Sequence, residues 1–240
     1  MITVNRHWPY VLGLAGLAVL GVALTRVLGG ATSSPRPLPT AAPQVPGAVV
    51  PPPASVVGAA HFPAIHWRRS VAVGLPWGGR LRDGVLLPAY GRDFATWDPI
   101  LLRYPNRAGR RWGTARLIKT LVYVLYRYHR AHPQAPPVLV ADLSRPRGGP
   151  FTGRYGGLGH DSHQNGLDVD VLYPRRDGKV LPAGPHDIDH RLAQDLVNRF
   201  VAQYAQYVFV GPHTGLHGPR GVVQTLVHHD DHMHVRVYPR

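Results

Sequence analysis

Two short stretches of this chain alternate apolar and polar residues with the period of a β-strand, and each gathers its polar chemistry on one face. In GLDVDVLY, residues 166–173, Leu167, Val169 and Val171 point one way and Asp168 and Asp170 the other. In HMHVRVY, residues 232–238, Met233, Val235 and Val237 point one way and His232, His234 and Arg236 the other. Each strand therefore has one face for a core and one face for something else. If the two share a sheet with their polar faces together, two carboxylates and two imidazoles converge.

Neutral imidazoles and carboxylates suit zinc, and a catalytic zinc takes three protein ligands and keeps one position open. His163, just ahead of the first strand, can supply a third ligand from a glycine-rich loop. The second strand grows out of HHDDHMH, residues 228–234, which packs four histidines and two aspartates into seven positions. Ten of the fifteen histidines lie after residue 150, so the chemistry belongs to the C-terminal half. The chain has no cysteine. That excludes a disulfide framework and a thiolate metal site, and leaves any metal to histidine and carboxylate.

The rest of the chain divides by composition. Trp8–Thr25 is uncharged and flanked by Arg6 and Arg26, and Gly29-Gly30-Ala31 offers a small-residue cleavage site. Residues 1–31 are expected to form a membrane anchor or signal peptide, with the anchor favoured by the length of the run. Residues 35–53 hold eight prolines, so 32–61 reads as an extended spacer. The folded domain is expected over 62–240. Within it, helices are predicted over 114–129 and around Leu192–Val201, the latter capped by Asp187 or Asp189. Strands are predicted at Val138–Ala141, Leu167–Tyr173, Tyr207–Val210 and His232–Tyr238. Residues 144–162, with six glycines, read as a long loop. The fold class is α+β, with a mainly antiparallel sheet flanked by helices. The net charge of +14 points to an anionic partner: nucleic acid, an anionic membrane surface or a cell-wall polymer. No nucleic-acid-binding motif accompanies it and export argues against one, so no nucleic-acid partner is expected.

HDSHQNGLDVDV (160–171) and HDDHMHVRV (229–237) resemble the penicillin-insensitive murein endopeptidases, within the lysostaphin and D-Ala-D-Ala metallopeptidase group with its His-x6-Asp and His-x-His signature. RRWGTARLIKTL, DLSRPRGGPFTGRYGG and YVFVGP extend the resemblance over roughly residues 70–240. It implies a LAS-type metallopeptidase fold and a zinc-dependent hydrolase of the periplasm or cell-wall space. The reaction it implies is cleavage of peptidoglycan cross-links at a D-alanyl to diamino acid bond. It further implies zinc ligands at His163, Asp170 and His234, a catalytic base at His232, a supporting role for His229, and His160 as a further histidine near the metal. Asp177 fits a family segment with extra metal contacts, but the histidine that follows in the family is Val180 here. Asp168 is expected to orient a ligand or face solvent, while His228, Asp230 and Asp231 are expected on the loop surface. Arg145, Arg147, Arg154 and Arg236 are candidates to bind the carboxylates of stem peptides. The competing readings are a D,D- or L,D-carboxypeptidase of the same group and a cell-wall binding protein without turnover.

Overall fold

The computed structural model describes residues 64–151 and 160–239. The expected anchor, the proline-rich spacer and the middle of the glycine-rich loop, Arg154 included, lie outside the described residues. Among the described residues, no helix is long and apolar enough to cross a membrane.

The domain is α+β. A hairpin of β1 (Val71–Leu75) and β2 (Gly78–Arg82) opens it, and β3 (Val85–Leu86) pairs antiparallel with β5 (Trp112–Gly113). The main sheet has six strands: β4 (Phe94–Thr96), β6 (Val138–Val140), β7 (Asp168–Leu172), β10 (His232–Val237), β8 (Ala205–Val210) and β9 (Val223–Thr225), in that spatial order. Its three central pairings are antiparallel and the two outermost are parallel. Helices α1 (Ala115–Ala131) and α2 (His190–Ala202) complete the domain.

Both helices form where the apolar spacing predicts. The Thr114 hydroxyl accepts the Leu117 N–H at the start of α1, and the Asp189 carboxylate accepts the Leu192 N–H at the start of α2. Of the two predicted caps for α2, Asp189 is therefore the one used. Leu117, Ile118, Leu121, Leu125 of α1 and Leu192, Leu196, Phe200 of α2 are buried in one core with Val169, Val171, Met233 and Val235 of the sheet. The opposite face of the sheet carries a small apolar cluster of Ala95, Trp97, Leu139, Ala141 and Leu172. Beside that cluster, on the same face, stand the polar side chains of β7 and β10.

Candidate metal centre

Strands β7 and β10 are antiparallel neighbours at the centre of the sheet. His234 lies opposite Asp170 and Arg236 opposite Asp168. Since β-strand side chains alternate in direction, this register brings the two polar faces together and leaves Val169, Val171, Met233 and Val235 for the core. The convergence expected from the alternation is present.

Asp170 is the hub. Its Oδ1 is 3.2 Å from His163 Nε2, 3.1 Å from His234 Nδ1 and 3.8 Å from His232 Nε2, and its Oδ2 is 3.9 Å from His160 Nδ1. Burial alone would raise its pKa, but the surrounding imidazoles reverse that and hold the carboxylate well below its usual range. It is a buried anion at the focus of four rings.

Three of those rings are fixed from behind by a second carboxylate. Asp168 Oδ1 is 3.0 Å from His234 Nε2 and also accepts from Arg236 Nε at 2.6 Å, while its Oδ2 accepts the His163 backbone N–H at 3.1 Å. Asp231 Oδ1 is 2.6 Å from His232 Nδ1, and Asp142 Oδ2 is 2.8 Å from His160 Nε2. In each case the carboxylate engages one ring nitrogen and the other is left facing Asp170. Carboxylates commonly set the tautomer and orientation of metal-binding imidazoles in this way. Asp168 is fully buried, so of its two expected roles it takes the orienting one. Asp231, expected on the loop surface, is exposed but orients His232. Asp142 was not anticipated. It is fully buried and held by Arg110 Nε at 2.7 Å, by a second bond from Arg110 Nη2, and by Asn106 Nδ2 at 2.9 Å.

His163 is different. Its ring is fully buried, neither ring nitrogen makes a hydrogen bond, and Asp170 Oδ1 is likewise unpartnered despite the 3.2 Å approach. Buried polar atoms of this kind cost about 1–3 kcal/mol each. A cation would satisfy Asp170 Oδ1 and one nitrogen of the His163 ring at once. One ligand atom each from His160, His163 and Asp170 falls within 4.8 Å of the others, and His234 Nδ1 faces the same Asp170 oxygen. These residues fit a metal, and nitrogen and oxygen donors without thiolate suit zinc. His163 also has a left-handed backbone, φ +64°, a conformation costly for a side chain and enriched at functional positions.

The rest of the histidine cluster sorts itself. The His229 Nδ1–H donates to the Val227 carbonyl at 2.8 Å, and the ring lies 4.7 Å, centroid to centroid, from the His232 ring. Burial, helped by the charge on its neighbours, lowers its pKa. His228 is exposed, and Asp230 is committed to His213. Asp177 is paired with Arg175 at 2.8 Å, and His190 is exposed. Arg236, expected as a substrate clamp, is instead buried and paired with Asp168. The site opens into a cleft of about 590 Å³. Trp97, Pro99, Ile100 and Leu102 are among its apolar lining residues, and Asp142, His160, Asp170, His228, His229, Asp231, His232 and His234 are its polar ones.

The family profile described as penicillin-insensitive murein endopeptidase matches residues 72–200. That is more than half of the 240-residue chain. The chain belongs to the penicillin-insensitive murein endopeptidase family. It is accordingly a hydrolase whose family acts on the cell wall. The matched span includes Asp142, His160, His163, Asp168 and Asp170. His229, His232 and His234 lie beyond it and enter the murein endopeptidase site through the β7–β10 register. Among curated proteins, none matches the chain.

The protonation of the metal-free site has a measurable consequence. Burial would lower the His234 pKa, but the hydrogen bond to Asp168 and the negative charge of Asp170 beside the ring outweigh it and raise the value to about 9. His160 and His232 are raised for the same kind of reason, burial being overcome by Asp142 and Asp170 in one case and by Asp170 and Asp231 in the other. A raised pKa stabilises the fold fully below the ordinary imidazole value of about 6.5, and that stability is lost as pH climbs through the folded value. In chelator, the melting temperature should fall between about pH 6.5 and about pH 9. Metal affinity should rise over the same window, because a ligand imidazole must first lose its proton. Thermal melts with and without chelator check both signs.

Proposed function

We propose that this chain is a zinc-dependent murein endopeptidase of LAS-type fold, hydrolysing the D-alanyl to diamino acid cross-links of peptidoglycan. His163, Asp170 and His234 are the zinc ligands, with His160 poised beside them. The observation that carries the reading is the convergence of these donors on atoms of His163 and Asp170 that are buried and otherwise unpartnered. Bound zinc supplies a Lewis acid that lowers the pKa of water from about 16 toward about 7.

The chain contains no glutamate, and the titratable side chains lining the cleft are histidines and aspartates, so the general base is sought among them. His232 has the geometry for it. Asp231 fixes its Nδ1 and the Nε2 faces the cleft floor. This nitrogen takes the proton of the attacking water, and Asp231 stabilises the resulting imidazolium. His229, beside it with its ring tilted 35° and kept neutral by burial, serves as the relay that returns a proton to the leaving amine. The apolar lining from Trp97 to Leu102 gives the peptide a dry surface. The apolar N-terminal run and the proline-rich spacer support delivery to the periplasm or cell-wall space, tethered to the membrane where the run is retained.

His234→Ala and His232→Ala separate the two roles. The first should lose both zinc and activity. The second should keep most of its zinc, measured by atomic absorption, and lose about 10²–10⁴-fold in rate. Digestion of purified cross-linked muropeptides gives the bond: loss of dimers marks an endopeptidase, and release of a terminal amino acid marks a carboxypeptidase. If both variants cleave dimers at the parent rate, the assignment is wrong.

A further inference from the structure

A second groove, also of about 590 Å³, lies on the hairpin side of the domain and shares no lining residue with the metal cleft. Arg68, Arg80, Arg82 and Arg147 line it around Val73, Leu81 and Trp112, with Asp83 the one carboxylate among the lining residues. All four arginines are exposed, and none of them makes an ion pair among the described residues. Arg80 and Arg82 share one face of β2, and their cross-strand partners Val73 and Val71 lie on that face too. The groove is thus a strip of unneutralised guanidinium groups over an apolar floor.

The groove is fixed in relation to the metal centre. The Leu81 N–H donates to the Arg147 carbonyl at 3.0 Å, and the Gly149 N–H donates to the Gln164 carbonyl at 2.8 Å. The Gln164 N–H in turn donates to the Pro76 carbonyl at 2.9 Å, and Asn165 Nδ2 donates to the Gly74 carbonyl at 3.1 Å. Gly148 makes the contact close: at φ +68°, a Cβ there would stand 2.1 Å from the Gln164 carbonyl oxygen and 2.5 Å from the Leu81 nitrogen. Hairpin and loop are therefore clamped to the two residues that follow His163.

We propose that this groove binds a second segment of the peptidoglycan mesh, through the free carboxylates of its stem peptides, while the metal cleft engages the bond to be cut. The proposal rests on the substrate class read above. Guanidinium forks match carboxylates bidentately, and an unpaired set of them calls for an anionic polymer. The concave shape accepts a strand and not a flat bilayer, and the clamp to residue 164 holds that strand at a fixed offset from the metal.

The test uses the zinc-loaded protein and its triple variant Arg68→Gln, Arg80→Gln, Arg82→Gln. These side chains are exposed, so the variant should melt as the parent does. It should cleave soluble cross-linked muropeptide dimers at the parent rate, because the groove shares no lining residue with the metal cleft. Co-sedimentation with intact sacculi should weaken about tenfold or more, and parental binding should fall steeply with added salt. Equal sedimentation of parent and variant would overturn the proposal. So would a variant whose only loss is binding to phosphatidylglycerol vesicles, which would mark the groove as a membrane contact. If the parent itself cleaves no dimers, the enzymatic reading fails, and sedimentation still judges the groove.

Discussion

Replacing His163 by leucine is expected to abolish metal binding and turnover while leaving the metal-free protein as stable as before, or more so. The two effects have opposite signs because the ring has opposite value in the two states. With metal, His163 is a ligand, and its loss should cost more than the roughly 100-fold that removal of an outer-shell partner can cost. Without metal, it is a fully buried ring with two unpartnered nitrogens. Each such group costs about 1–3 kcal/mol, which an apolar side chain does not incur. The left-handed backbone suits histidine better than leucine, so part of that gain is offset there. Denaturant unfolding in chelator, alongside zinc content and muropeptide digestion, reads all three quantities. A metal-free His163→Leu protein several kcal/mol less stable than the parent would mean that the ring is a packing element and not a ligand in waiting.

The largest loss of stability is expected at Arg110→Met. Arg110 is about 1% exposed and holds Asp142, itself fully buried, through two guanidinium bonds while its own plane lies over the Phe151 ring. Removing the guanidinium strands a buried carboxylate, a change that costs about 3–5 kcal/mol. The double variant Arg110→Met, Asp142→Leu should recover much of that loss, since apolar side chains of similar volume often replace a buried ion pair at little or no cost. It should not recover activity, because His160 then has no partner for its Nε2. Urea unfolding and digestion rates of the two variants separate the fold-stabilising part of this pair from the part that aims His160. Full activity in the double variant would remove Asp142 and His160 from the site.

The reach of the sequence is uneven for physical reasons. Helices α1 and α2 bury one face each, and strands β7 and β10 turn one apolar face to the core and one polar face to the site, so their periodicity is written out residue by residue. The polar faces of β7 and β10 named Asp170, His232 and His234 for the same reason, proximity in the chain added His163, and His160 came only from the family resemblance. The β1–β2 hairpin escaped because it reads as a loop: VAVGLPWGGRLR interrupts its apolar residues with three glycines and a proline, and much of its surface stays in water. The short strands β3, β4, β5 and β9 span two or three residues, too few to show any period. Asp142 was invisible because nothing local marks it. Its meaning comes from Asn106, Arg110 and His160, which lie 36, 32 and 18 residues away and meet it only in the fold. Asp231 and Asp168 stand next to histidines in sequence or on a strand face, but a carboxylate that turns inward is spelled the same as one that does not.

The pairing of β7 with β10 also bears on how errors in this protein are caught. Side chains on a strand change face with every residue, so a slip of one position would turn Met233, Val235 and Val237 toward the cleft and drive His232, His234 and Arg236 into the core. The apolar face and the donor face are thus two readings of a single alignment. A molecule with misplaced donors is also a molecule without a core, and cellular proteases dispose of such molecules. The hydrolase that survives is therefore already assembled correctly, and the cell wall is spared a population of folded but defective copies competing for the same strands.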